Sequence, residues 1–544
     1  MDKKINKKQT GQLLFLIFLL VLGLRIWSLS CYRFVGADGG IDGVSMAVSG
    51  KNLFSGNGLV FQGRAETIHS PAFPVLVGLF WAVTGNLELG GQLVSVVFGA
   101  LLVFPVFWMG KILFDGRIGI YAALLSAVLP PFIYTSTEIR VVSLYTTLFI
   151  FSLLLIYRFA LQPGFRSGLA AGAGISLAYL TRPEAMLLLP LAAVLPFLAG
   201  SGRDKRGTGS IAAGWAGMAV GFSVISLPYW IFLRRHLGYW AMNGRGPFTF
   251  LGYFGEGWEK ENFYLYTYRD QALQDWIEGG GIGGFFREHR GEILRRLFYN
   301  LFSFIDLGNS SQVRTLGLPR LLVDGVVAAA LLAFLLAQIR KIIRRQWRFR
   351  DTFFLLALAT VLPYLALSGI DMRYYYPYLP LAVILLAAFI VRWAGRAGTR
   401  GGSPVVRWIF AAGPAWVLVA LSLLSTLYLI PRKIETVPYE YKILGEWMAE
   451  NLPGVSDEVI VSRKMGVPFY MGSPHALPYP GSYDEMLEHA RRSGGKYLVI
   501  DEWTIPWARP KLAFLLQEKE PPPELEKVHE IDYQGRKTIL YKFK

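Results

Sequence analysis

The sequence predicts a polytopic α-helical membrane protein carrying a small C-terminal α/β domain. Three observations predict it: the apolar balance, the length of the apolar blocks, and the spacing of the cations. Hydrophobic residues make up 53% of the 544 and charged ones only 17%, too apolar for an ordinary soluble enzyme. The apolar residues fall in blocks of about 17–25, the length that crosses a hydrocarbon core of ~30 Å. Basic clusters then occupy every second link between the blocks.

Spanning segments read out at roughly 12–30, 90–110, 118–135, 139–157, 168–181, 184–199, 210–233, 320–339, 352–368, 375–391 and 408–430, about 11 crossings. The basic links are Lys111/Arg117, Arg158/Arg166, Arg203/Lys205/Arg206, Arg340–Arg350 and Arg392–Arg407, preceded by Lys3, Lys4, Lys7 and Lys8. All fall on one side, which the positive-inside rule assigns to the cytoplasm. They hold 21 Lys and Arg against four acids, Asp2, Asp115, Asp204 and Asp351, so they carry the whole formal charge of +17. The basicity is a topology signal and excludes a nucleic-acid partner, which would require a basic soluble domain. The apolar run at 71–84 is about 21 Å long as a helix. A single crossing there would invert every later basic cluster, so it is expected to be re-entrant or interfacial.

The N-terminal lysines and the run after them read as a retained anchor, because no small-residue cleavage site follows Leu29. The lone Cys31 excludes a disulfide framework. Residues 1–430 form the expected transmembrane domain, with external loops at 31–89 and 236–318, and 431–544 the expected soluble domain. In the latter, 458–463 and 496–501 read as buried strands and 439–450, 483–492 and 508–518 as helices. The Pro-rich run at 521–526 separates the last helix from a terminal hairpin-like pair. This arrangement puts the N-terminus in the cytoplasm and the C-terminal domain in the periplasm. The N-terminus and the lack of retention signals point to a bacterial inner membrane.

Charges at bilayer depth cost roughly 2.5–3.5 kcal/mol each, so those near helix ends call for a reason. Four external turns each bring a carboxylate to one face: Asp42, Glu138, Glu184 and Asp371. Three of them carry an arginine within two residues, Arg140, Arg182 and Arg373. Any one of these is explained by a solvated turn, Arg25 by snorkelling or packing, and the tyrosines at 374–376 by an interfacial belt. Their co-occurrence is what points to a site.

The motifs extend this. Asp42, followed by Asn52-Leu53, Gly56 and Gly58 and then by His69-Ser-Pro71-x-x-Pro74, resembles the first external loop of GT-C superfold glycosyltransferases. The branch is that of the protein O-mannosyltransferases and the lipid A aminoarabinose transferases. The stretches 136–158, 180–190 and 371–380 are similar to further family segments, so the likeness runs in scattered motifs over about 40–395. Met46 stands where an aromatic is common, Gly43 where a second acid often lies, and Ser70 where aminoarabinose transferases have lysine.

The resemblance implies a polyprenyl-phosphate-linked sugar as donor and a hydroxyl of a lipid, glycan or protein as acceptor. Transfer would invert the anomeric carbon. A carboxylate base is worth roughly 10²–10⁴ in rate, and Asp42 is the candidate, with Glu138 as its catalytic companion. The leaving phosphate calls for cations: Arg373 first, then Arg140, Arg64 and His69. If a divalent cation, Mg²⁺ or Mn²⁺, takes part, Asp42 and Glu138 are the carboxylates to hold it. In the loop 236–318, Trp240, Tyr253, Trp258 and Tyr264 stack on sugars or anchor interfacial helices. The alternatives are a lipid or sugar transporter or flippase, against which the absence of internal repeats argues, and a non-catalytic scaffold of the same fold.

Overall fold

The computed structural model describes residues 7–31, 33–36, 41–200, 208–244, 280–305, 346–367, 374–397, 404–432, 437–473, 475–477, 479–517 and 520–544, with a few isolated positions between. Among them, five helical stretches are long and apolar enough to cross a membrane: Lys8–Cys31, Leu87–Leu113, Val142–Leu161, Gly209–Leu237 and Phe349–Leu367. Gly116–Val128 and Pro130–Thr137 meet at 57° and make a sixth if counted as one span. Shorter apolar helices occupy Ala72–Thr84, Pro183–Ala199, Tyr376–Arg392 and Trp416–Arg432. The predicted segment 320–339 lies outside the described residues, as does most of the loop 236–318.

In chain order the first helices are α1 (Lys7–Cys31), α2 (Ile41–Phe54), α3 (Ala72–Thr84), α4 (Leu87–Leu101), α5 (Val103–Leu113), α6 (Gly116–Val128) and α7 (Pro130–Tyr134). After them come α8 (Val142–Leu161), α9 (Phe165–Tyr179), α10 (Leu188–Gly200) and α11 (Thr208–Leu237). The segment predicted as one helix over 118–135 breaks at Leu129, whose backbone is extended ahead of Pro130. A residue before proline is pushed out of the helical region, and proline itself suits a helix's first position. Arg25 is fully buried in α1 and donates to the carbonyls of Val21 and Phe132, both at 3.3 Å. It is a packing arginine that pins α1 to α7.

Glycine sets two helix pairings. A Cβ on Gly168 of α9 would lie 1.9 Å from the Gly214 carbonyl of α11, and one on Gly50 of α2 would lie 2.2 Å from the Pro74 carbonyl of α3. In both pairs the backbones touch, which only a residue without a side chain allows. The run 71–84 is thus a helix packed along α2.

Later helices are α12 (Gly281–Glu288), α13 (Arg290–Ile305), α14 (Phe349–Ala359), α15 (Leu362–Leu367), α16 (Leu379–Ala397) and α17 (Pro404–Arg432). The 20 residues of α8, roughly 30 Å long, separate two charged faces. At its C-terminal end Tyr157 packs on Phe349 and Phe353. There Arg350 and Arg392 lie over the Phe114 ring at 5.4 and 4.9 Å, beside the cap Asp115, so basic links distant in sequence share one face. At its N-terminal end are Glu138 and Arg140.

Residues 437–544 carry helices α18 (Glu440–Asn451), α19 (Gly466–Met471) and α20 (Tyr483–Ser493) against a five-stranded mixed sheet. The hairpin β1 (Val60–Phe61) and β2 (Arg64–Ala65) belongs to the first loop. The sheet comprises β3 (Val459–Ser462), β4 (Ala476–Leu477), β5 (Gly495–Asp501), β6 (Leu525–Tyr533) and β7 (Arg536–Phe543) in the order β4-β3-β5-β7-β6. β3 pairs in parallel with β4 and β5, and β7 closes the chain antiparallel to β5 and β6. Gln534 and Gly535 both have positive φ, the two-residue turn that matches strand twist in a hairpin. The stretch expected as a helix at 508–518 forms a 3₁₀ segment, Pro510–Leu516, tightened by the proline at its start. One apolar core runs from Phe34, Val44 and Phe73 of the first loop into Tyr441, Leu444 and Val467, so the α/β unit is seated on that loop.

Candidate active site

The first loop is organised around a histidine. Helix α2 starts at Ile41 and holds Asp42 in its first turn, where the helix dipole favours an acid. After α2, Gly56 and Gly58 take positive φ and Asn52 donates to the Val60 carbonyl at 2.8 Å. This turns the chain into the β1–β2 hairpin. Glu66 follows, its Oε1 accepting the backbone N–H groups of Ile68 at 2.8 Å and His69 at 3.1 Å. That local ring holds the loop so that the imidazole of His69 points back at α2.

Both ring nitrogens of His69 are engaged. Nε2 lies 3.3 Å from Asp42 Oδ1, and Nδ1 lies 3.4 Å from Glu66 Oε2 and 3.2 Å from Ser45 Oγ. Burial by itself would favour the neutral ring, but the carboxylates of Glu66 and Asp42 outweigh it and raise its pKa to about 9. Glu66 is held below the ordinary carboxylate range: burial opposes this, but the charge and hydrogen bonds of His69 prevail. The arrangement is an imidazolium clamped between two carboxylates. Glu66 is 4% exposed while the Asp42 side chain keeps 37%, so one acid is structural and the other open to a reactant.

The other turns gather around this loop. A Cβ on Gly43 would sit 2.7 Å from the Ile139 carbonyl, so the backbone next to Asp42 lies against the Glu138–Arg140 turn. Glu138, 1% exposed, pairs with Arg140 at 3.1 Å, and Ser95 of α4 donates to the Glu138 carbonyl at 2.6 Å. The N–H of Ala72 donates to Leu180 O at 2.8 Å, tying the start of α3 to the next turn. In that turn Arg182 pairs with Glu184 at 3.2 Å and lies over the rings of Tyr145 and Tyr374 at 5.5 and 4.9 Å. The backbone of Gly244, past α11, abuts Thr67. Four of the predicted stretches, around 42, 138, 182 and 374, therefore meet at one end of the helical bundle.

Individual placements differ. Asp42 and His69 are in direct contact, and Glu138 with Arg140 forms the adjoining pair. Arg64 stands on β2, on the side facing the sheet of the α/β unit. Asp371 and Arg373 lie outside the described residues, as do Tyr253, Trp258 and Tyr264. Trp240 is 66% exposed. Sequence reasoning missed Glu66 and Ser45. The signal present was the Glu66-x-x-His69 spacing, and Ser45 three residues after Asp42 on the same helix.

The two carboxylates considered as metal ligands each face a cation, Asp42 the imidazolium of His69 and Glu138 the guanidinium of Arg140. Among the described residues no group of three or more His, Cys, Asp or Glu side chains converges as a metal site. A divalent ion at Asp42 would have to displace the His69 charge, so this donor set does not fit one and no step is routed through it.

Comparison with known proteins bears on this geometry. A sequence profile described as dolichyl-phosphate-mannose-protein mannosyltransferase matches residues 68–231. A search of curated proteins returns no match. Among solved structures, the apo oligosaccharyltransferase of Archaeoglobus fulgidus is similar at 15% identity, with TM-score 0.60 over 92% of this chain and 70% of that one. The same enzyme, AglB, with an inhibitory peptide and a dolichol-phosphate gives 14% and 0.56 over 92% and 70%. ArnT from Cupriavidus metallidurans bound to undecaprenyl phosphate gives 12% identity and 0.53 over 97% of each chain. The fold is that of the GT-C superfold of membrane glycosyltransferases. The likeness is one of overall fold, and the profile match begins at residue 68, just ahead of His69.

Proposed function

We propose that the chain is an inverting glycosyltransferase that moves a sugar from a polyprenyl-phosphate donor to a hydroxyl acceptor at the periplasmic face of a bacterial inner membrane. Similar structures hold undecaprenyl phosphate or dolichol-phosphate, which supports a lipid-linked donor here. The positive-inside rule, applied to the basic links, supports a site face outside the cytoplasm and with it a periplasmic α/β unit.

The observation that carries the reading is the Asp42 carboxylate, partly open and held by a buried imidazolium. In the reaction it takes the proton of the acceptor hydroxyl as that oxygen attacks the anomeric carbon from the face opposite the phosphate. The bond from the anomeric carbon to the phosphate oxygen breaks, and the electron pair leaves with the polyprenyl phosphate. The leaving phosphate needs cations rather than a proton, for which Arg373 is the first choice and Arg140 the second. His69, with both nitrogens turned to side-chain oxygens, acts as a positioning residue: it fixes the carboxylate's direction. Glu138 holds Arg140 toward the site.

The test is Asp42→Asn in membranes supplied with a lipid-linked sugar, with folding checked by detergent-resistant gel filtration. Loss of a base is expected to slow transfer by roughly 10²–10⁴. Transfer at the wild-type rate overturns the assignment. No transfer by the wild type with any lipid-linked sugar favours the scaffold instead.

A further inference from the structure

Two membrane helices end beside the start of the α/β unit. The amine of Lys442, in the first turn of α18, reaches the Arg33 carbonyl at 3.5 Å, two residues past α1. The ring of Tyr439 stands 6.3 Å from that of Phe34. Val437 follows the end of α17 by five residues, a reach of at most about 17 Å. Along α17, Leu424, Leu427 and Tyr428 are exposed, and Arg432 closes over the Tyr428 ring at 3.9 Å. An apolar stripe that ends in a tyrosine under an arginine marks the level of the lipid headgroups.

From this level a row of contacts leads along one end of the sheet. Tyr439 packs on Tyr533 at 5.6 Å. Arg536, at the start of β7, donates to the Val437 carbonyl at 2.9 Å and lies 4.8 Å over Trp503, just past β5. The indole N–H of Trp507 donates to the Trp503 carbonyl at 3.0 Å. Trp507 covers the buried Arg463 at 4.6 Å and is otherwise open, 66% exposed. Pro506, Pro510 and Lys511 beside it are exposed too.

We infer that the α/β unit rests on the bilayer as well as on the first loop, with Trp507 set in the headgroup layer next to α1 and α17. A lone exposed apolar residue needs no explanation by itself; three features of this one point to lipid. No other large apolar side chain is exposed among the described residues of 437–544. Tryptophan joins an apolar body to a polar N–H, which suits a boundary apolar on one side and wet on the other. Finally, Trp507 lies at the sheet end nearest the membrane helices, whereas Val459 and Ser493 at the opposite end face the β1–β2 hairpin. A second foothold there stops the unit from tilting about its seat on the loop that holds Asp42.

The test is spin labelling of the full chain in nanodiscs, after Cys31→Ser removes the native thiol. One nitroxide goes on Pro506→Cys, which keeps Trp507, and a reference on Arg492→Cys at the far end of the sheet. Position 506 is expected to favour oxygen over a water-soluble nickel chelate by about threefold or more relative to position 492. Adding Trp507→Ser should return it to water. Discs of phosphatidylcholine, with or without phosphatidylglycerol, should agree, because the contact is apolar. Burial confined to the anionic discs reduces it to attraction of nearby cations and overturns the proposal. So does burial that survives Trp507→Ser, or an equal balance at both positions, the result expected where a glycan or another protein covers Trp507. On the unsubstituted chain, hydrogen exchange at 503–511 should be about threefold or more slower in nanodiscs than in amphipol, with 483–493 unchanged. Equal rates in the two media overturn the proposal as well.

Discussion

The Nε2 of His69 stands 3.3 Å from the Oδ1 of Asp42, and this contact makes the proposed base dependent on a residue from another element. If the imidazolium orients Asp42, removing it costs turnover more than folding. His69→Gln keeps a hydrogen-bonding side chain of similar reach but no charge. It is expected to lower kcat by roughly 10–100-fold with little change in the KM for the donor, in the range seen when a supporting partner is lost. A phosphate-binding His69 would instead raise the donor KM, so steady-state kinetics on the variant separates the two roles.

The same contact sets a pH dependence. The pKa of His69 is raised from 6.5 to about 9, so the folded protein binds this proton more tightly than the unfolded chain. Its contribution is complete below about pH 6.5 and fades as pH rises through about 9. It amounts to on the order of 3 kcal/mol. Thermal unfolding in detergent followed from pH 6 to 10 should show a decline across that window. The decline should flatten in His69→Gln; an identical profile in the variant would show that the imidazole is not charged.

How much of this was legible beforehand follows from the physics of each signal. The helices and the two charge faces are written in block length and cation spacing, and both survive in the roughly 30 Å of α8. Asp42 and His69 were legible as types, because motifs carry residue identity. Their contact was not, since it depends on the Glu66 side chain closing a turn onto its own backbone. The break at Leu129 was foreshadowed by Pro130-Pro131 yet overridden by the apolar run. The seating of Tyr470 beside Glu88 is a tertiary fact, between residues nearly four hundred positions apart, with no local signature at all.

The glycine at position 43 is explained by sterics. Its missing Cβ leaves room for the Ile139 carbonyl, which would otherwise be 2.7 Å away. Gly43→Ala forces α2 off the Glu138–Arg140 turn. Overpacking of this kind costs about 1–3 kcal/mol, and because Asp42 is the adjacent residue, transfer should fall as well. Retained melting temperature and retained transfer together would mean the turn yields freely.

Glu138 is 1% exposed and its partner Arg140 is mostly covered. Breaking a buried pair from one side leaves a charge without its counter-ion, typically a loss of 3–5 kcal/mol. Arg140→Met is therefore expected to destabilise strongly, and the double variant Glu138→Gln/Arg140→Met to recover part of that loss. A double-mutant cycle on melting temperature checks it. Additive losses would show that the pair is not coupled.

Glu88, in the first turn of α4, joins the α/β unit to the bundle. Its carboxylate accepts from Lys442 at 2.8 Å and from the Tyr470 hydroxyl at 2.7 Å, and that hydroxyl in turn accepts the N–H of Val35, also at 2.7 Å. The Phe34 ring stacks on Tyr470 at 5.8 Å beside them. One acid thus closes a network spanning α4, the segment before α2, α18 and α19. Hydrogen bonds to a charged group contribute about 1.5–3 kcal/mol each, and partial exposure moves these toward the lower figure. Glu88→Ala should loosen the docking while leaving the sheet folded. Hydrogen exchange would rise in 440–451 and 466–471 but not in β5 or β7, whose partners lie within the unit. If exchange rises equally throughout the sheet, the unit depends on the bundle for its folding, and Glu88 is more than a tether.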